Sequence, residues 1–328
     1  MAFKGTADQS TLVNLRSIED AGAVNFSQMD RTSLTVGYTC SPSAAGDLLS
    51  SLNMTNLAHE PWDVAAALKS SSLDQTISKT TPELSLEDQL HAAAYGEKTP
   101  HGRSMYGSPD KGDVLDFTTL LTTSGAVLSI SGVSDHSLYA KLATDALPST
   151  LPPSSSPPAV YKGGQSRVNA LSSHSHVALA LNAGAHSPAL TALLTLTSPS
   201  PLTAFTVGTL SGVHGAGDAE TADVMTKAMA ASFTAALKAD DATLSRALSL
   251  AKATAVFSSS GSSKASALAA SAAVLSSGPA GESAIIAFYA TMTPTSLKTA
   301  LEEAVAKGVS VAAVGDLGKV GYAEEFKF

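Results

Sequence analysis

The sequence predicts an α+β fold made twice: two homologous domains, each a mostly antiparallel sheet with helices laid on one face. Three observations carry this reading. Apolar residues recur with a period of two in some stretches and with helical spacing in others, so both kinds of element are present. A Pro/Ser-rich break divides the chain into parts of similar length. Near the end of each part stands a run of the same pattern, SGAVLSISGVSDHSLYA at 124–140 and KGVSVAAVGDLGKVGYA at 307–323. In both, a strand of small and β-branched residues leads through a glycine turn and an acidic residue to a tyrosine, the mark of a duplicated unit.

Taken in order, AGAVNFSQMDRTSLTVGYTC at 21–40 alternates across a polar turn at Met29-Asp30-Arg31 and reads as a β-hairpin. Helical spacing follows at 43–57, 61–69 and 83–95. The last of these runs into LHAAAYGEKTPHGRSMYGSP, 90–109, where glycines, prolines and the histidines His91 and His101 crowd the end of the helix. Residues 147–164, LPSTLPPSSSPPAVYKGG, hold five prolines, which cannot continue a helix or donate to a ladder. The predicted organisation is therefore an N-terminal domain at 1–147, a linker at 148–160 and a C-terminal domain at 161–328. In the latter, HVALALNAG reads as a strand, 187–197 as a helix and TAFTVGTLSGV as a strand. Long helices fit 217–238, capped by Asp218 with Thr221 and Asp223 in its first turn, then 241–256 and 262–276.

Length and composition bound the function. At 328 residues the chain supports two domains, each with its own core. Alanine carries much of the 44% hydrophobic content and aromatics reach only 5%, which favours closely packed helices. A net charge of -8, with no basic block, speaks against nucleic acid or an anionic membrane surface as partner. No run is apolar and long enough for a transmembrane span, and MAFKGTADQS reads as neither a signal nor a transit peptide. The single cysteine, Cys40, excludes an internal disulfide and reads as a small buried hydrophobe at a strand end.

Several stretches together resemble the mitochondrial processing peptidase family, of pitrilysin type, which includes the core proteins of the respiratory cytochrome bc1 complex. They are MAFKGT at the start, the 21–40 segment, LHAAAYGEKTPHGRSMYGSP, VYKGGQSRVNALSSHSHVALALNAGA from Val160 and VAAVGDLGKVGYAEEF from Val311. The interdomain stretch and LHAAAY are most similar to the core-protein-2 branch. The resemblance implies a metallopeptidase-like fold of two related α+β domains enclosing a cavity. In active members MAFKGT directly follows a His-x-x-Glu-His zinc helix; here the sequence begins at Met1, so that helix has either been lost or lies ahead of it. Active members also place a ligating glutamate roughly three to four helical turns before LHAAAY, and in this sequence that register falls on Ile77, with Lys79 close by. An aliphatic side chain cannot ligate zinc. The glycine-rich presequence loop of the α subunit has no counterpart in 195–217.

The resemblance thus implies a chain with no catalytic, cofactor-binding or metal-binding residues and no cofactor, a structural core subunit of complex III on the matrix side of the mitochondrial inner membrane. Its implied partners are a homologous core protein 1 or β-like processing peptidase subunit, cytochrome b, cytochrome c1, other complex III subunits and a second copy in the dimeric complex. The alternative it leaves is an α-like presequence-binding subunit of the processing peptidase.

The residues themselves offer weaker candidates. His174 and His176, two apart on a strand, share one face and can hold a metal, or stand as structural polar residues at a strand entrance. His91 reads as a packed, hydrogen-bonded helix residue, and His101 and Arg103 as loop anchors or a subunit contact. GVHGAGD at 212–218 resembles a phosphate loop only loosely, without a Walker lysine.

Overall fold

A computed structural model describes residues 10–31, 33–51, 60–106, 127–146, 159–170, 172–276, 278 and 282–326. Linker residues 148–158 and the opening MAFKGT lie outside the described residues. The elements of the first part are α1 (Thr11–Asp20), β1 (Val24–Met29), β2 (Leu34–Thr39), α2 (Ala45–Ser51), α3 (Pro61–Thr80), α4 (Pro82–Tyr95) and α5 (His136–Ala146). After them come β3 (Gly164–Asn169), β4 (His174–Asn182), α6 (Ser187–Thr197), β5 (Thr203–Val207), β6 (Leu210–Asp218) and α7 (Ala222–Leu237). The chain finishes with α8 (Asp241–Ser260), α9 (Ser263–Ser276), α10 (Glu282–Thr291), α11 (Pro294–Ala306) and β7 (Ser310–Gly315). The fold is α+β.

The described residues form two compact units that interleave in sequence. The described parts of Met1–Gln75, Gly107–Pro157 and Ser258–Glu282 make one, and those of Thr76–Tyr106, Pro158–Phe257 and Ser283–Phe328 make the other.

In the first unit β1 and β2 form the predicted antiparallel hairpin, Met29 opposite Leu34. The Asp30 carboxylate closes the turn by accepting from Ser33 N (2.7 Å) and Ser33 Oγ (2.9 Å). Gly37 leaves room for Phe26, whose ring would have to shift from a Cβ standing 2.7 Å from it. Lys264 Nζ lies 4.1 Å from the centroid of the same ring. Ile18, Ala23 and Leu48 form a small core, with Tyr38 and Cys40 packed against it.

The strand predicted at the start of 124–140 is not formed where that segment is described. Val127–Ile130 has no ladder assignment, and the chain enters α5 at His136. The second copy of the pattern does form its strand, β7, buried along its whole length.

That strand organises the second unit. Five strands run in the order β3-β7-β4-β6-β5, parallel for β3–β7 and antiparallel elsewhere. β4 and β7 are central and apolar on both sides, as their runs of Ala, Val and Leu require for a sheet covered on both faces. On one face Val177, Leu179, Leu181, Val213, Val311 and Ala313 meet the helices α6, α7 and α11 of the second half, among others. On the opposite face Ala178, Ala180, Leu210, Ala312 and Val314 are covered by Leu86, Leu90, Ala94 and Tyr95 of α4. Small strand residues let this helix approach closely. Within the sheet, Gly212 is tight against the neighbouring strand, where a Cβ would stand 2.0 Å from Leu179 O.

Several boundaries differ from the sequence reading. The helix at 61–69 continues to Thr80. TAFTVGTLSGV is two strands, turned at Gly208, whose φ of 59° is left-handed. Asp218 ends β6 instead of capping a helix; the long helix begins at Ala222, after a 3-10 turn at Ala219–Thr221. Asp218 is drawn into the sheet by its register opposite His174, and the two side chains stand 3.4 Å apart.

Candidate functional site

Polar and aromatic groups gather where α4 and the loop after it lie on the sheet of the second unit. Pro82 starts the helix at a position that needs no N–H donor, and Gly96 (φ 88°) ends it in a conformation that side chains disfavour. Leu86, Leu90 and Ala94 follow at four-residue spacing and face the core. The loop then folds back tightly: a Cβ on Gly102 would meet Gly96 O at 2.1 Å. Asp88, nearly buried, anchors this return by accepting from Ser104 Oγ and from Met105 N (3.3 Å).

Tyr95 is the hub. Its hydroxyl shares a 2.8 Å hydrogen bond with Thr209 Oγ1. Its ring stacks on His91 at 5.9 Å between centroids, tilts against His101 at 5.6 Å and meets the edge of Tyr161 at 6.1 Å. Tyr161 donates to Gly308 O and accepts from Ser310 Oγ, each at 2.9 Å. Burial pushes the Tyr161 phenol up, and the hydrogen bond from Ser310 opposes that shift. His91 is buried within this stack and His101 is part-buried at its rim, while Arg103 is exposed on the loop. These contacts tie a helix to a sheet through ring faces and hydroxyls.

A second cluster sits at the other end of α4. His176 and His214 stack at 6.5 Å with an interplanar angle of 18°. Glu83, in the first turn of α4, places Oε1 3.9 Å from His176 Nδ1, within ion-pair range but beyond hydrogen-bond reach. Burial, reinforced by the neighbouring His176, holds His214 below the ordinary histidine range, against a smaller opposite pull from Glu83.

Of the sequence candidates, His174 and His176 do share a face, but His174 turns to Asp218 and Ser173, and His176 to His214 and Glu83. Among the described residues no group of three His, Cys, Asp or Glu side chains is placed to hold a metal ion. Ile77 is exposed on α3, with Lys79 in that helix's last turn. Burial raises the Cys40 thiol, which disfavours the reactive thiolate. GVHGAGD is strand β6, not a loop. The residue that sequence reasoning passed over is His214, hidden in that glycine-rich run. Period-two alternation of 210–218 against β4 is the signal that finds it.

No protein-family model matches this chain, and no curated protein matches it.

Proposed function

We propose that this chain is a non-catalytic structural subunit of the core-protein-2 kind, part of a mitochondrial cytochrome bc1 complex on the matrix side of the inner membrane. The observation that carries the reading is the use made of LHAAAYGEKTPHGR, the stretch most like the family's helix-and-loop signature. Its helical residues Leu90, His91, Ala93, Ala94 and Tyr95 are buried, and its loop is folded back on Asp88. This burial supports a packing role for the signature. The α+β fold is of the class that the resemblance implies.

Among the described residues no helix is long and apolar enough to cross a membrane. In the proposed role the chain is held by protein contact, with a homologous core protein, cytochrome b, cytochrome c1 and a second copy of the complex as partners. Such contacts need large specific interfaces.

Affinity purification of the tagged chain from its native membranes tests this. Cytochromes b and c1 are expected in the eluate, with loss of the assembled complex on depletion of the chain. Recovery instead as a heterodimer that cleaves presequences, with no respiratory subunit attached, overturns the reading in favour of an α-like processing peptidase subunit.

A further inference from the structure

We infer that His176 and His214, together with Glu83, form a proton-sensitive clasp that seats the first turn of α4 on the sheet near neutral pH and loosens it on acidification. The inference is independent of the role proposed above.

The register creates the pair. His176 lies opposite Ala216, and His214 opposite Ala178, so the histidines stand on adjacent antiparallel strands, diagonal to one another and on one face. That face is the one α4 covers. The rings stack at 6.5 Å, and the first turn of α4 brings one carboxylate, Glu83, to 3.9 Å from His176 Nδ1. Both His176 Nδ1 and His214 Nε2 are buried and find no hydrogen-bond partner among the described residues. Buried imidazole nitrogens in that condition are uncommon and sensitive to a change of charge.

Two imidazoles thus share one carboxylate. A first proton is balanced by Glu83; a second puts two like charges on stacked rings beside the positive end of a helix dipole. The other elements offer little compensation. On α4, Asp88 is engaged by Ser104 and Met105, and Glu87 lies a turn beyond Glu83. On the strands, His174 and Asp218 face each other, Arg167 of β3 binds backbone carbonyls, and β5 and β7 carry no titratable side chain.

The direction follows from His214. Its proton affinity in the docked state is below the ordinary value of 6.5, so the undocked state takes up the proton more readily. The seating of α4 is therefore complete above that value and weakens as pH falls through it.

Hydrogen exchange of the α4 amides in the full chain, corrected for intrinsic rates, tests the clasp between about pH 7.5 and about pH 5. Protection of 83–90 is expected to fall severalfold in the wild type. In His214→Gln and His176→Gln, most of that dependence is lost. Glu83→Gln, which removes the one balancing carboxylate, steepens it. Equal protection at both pH values, or an unchanged fall in the two histidine variants, overturns the inference. Should those variants fail to fold, a proton NMR titration of the wild-type imidazoles decides. Coupled curves, with His214 titrating below the ordinary range, are expected; two independent ordinary curves overturn it.

Discussion

The Arg167 guanidinium lies 4.4 Å from the centroid of the Tyr322 ring, at the centre of the contacts that hold the C-terminal segment to edge strand β3. Its nitrogens donate to the carbonyls of Leu317 (3.3 Å), Val320 (2.9 Å) and Gly321 (2.9 Å). Gln165 adds an acceptor for Ala323 N. An arginine suits this place because its planar fork can serve several carbonyls while its face stacks on an aromatic ring.

Arg167→Ala is accordingly expected to destabilise the second unit by about 2 kcal/mol in chemical denaturation. Amide exchange in 317–326 should accelerate before the rest of the unit. Arg167→Lys should recover little of the loss, since an ammonium cannot reproduce the fork. Full rescue by lysine would mean that charge alone matters.

A double-mutant cycle addresses the docking of α4. Tyr95→Phe and Thr209→Val each remove one hydroxyl of the 2.8 Å pair, and their coupling energy should be about 1 kcal/mol. Tyr95→Ala, which also empties a buried ring site, should cost about 3–5 kcal/mol. A coupling near zero would mean that Tyr95 contributes to docking through its ring contacts and not through its hydroxyl.

Much of the fold was legible because its elements are amphipathic or strongly punctuated. The hairpin turn at Asp30, the helix at Ser187–Thr197 and the apolar strand of HVALALN each carry a local signal. What escaped depends on distant partners. HSLYAKLATDA is the exception, a helix with a local start at Asp135, which accepts from Ser137 N and Leu138 N, whereas Val127–Ile130 reads as a strand from composition although a ladder needs a neighbour. The aromatic hub was only half visible: LHAAAY marks itself, but Tyr161, Thr209 and Ser310 reach Tyr95 or one another only through tertiary packing. For the same reason the pairing of His214 with His176 could not be read from two segments that lie far apart in sequence.

Asp240 offers a pH test with a defined sign. Its Oδ1 accepts from Thr243 N at 3.0 Å at the start of α8, and hydrogen bonding with Thr243 holds its carboxyl below the ordinary value of 3.8. The stabilisation is present above that value and is lost as pH falls through the lower pKa of the folded state. Exchange in the first turn of α8 should therefore rise on acidification in the wild type. In Asp240→Asn, which caps without titrating, that rise should disappear; an identical acid response in this variant would discount the cap.

The placement of α4 also bears on how the chain is made. Tyr95 precedes Ser310, at the start of β7, by 215 residues (310 − 95). Synthesis from the N-terminus therefore delivers this helix long before the strand that it covers. Until then the face on which Leu86, Leu90 and Tyr95 pack lacks Ala312 and Val314, so a nascent chain leaves part of this apolar stripe uncovered. Closing so long a loop is a late and entropically costly event. The second unit thus becomes complete only when the last strand has been supplied.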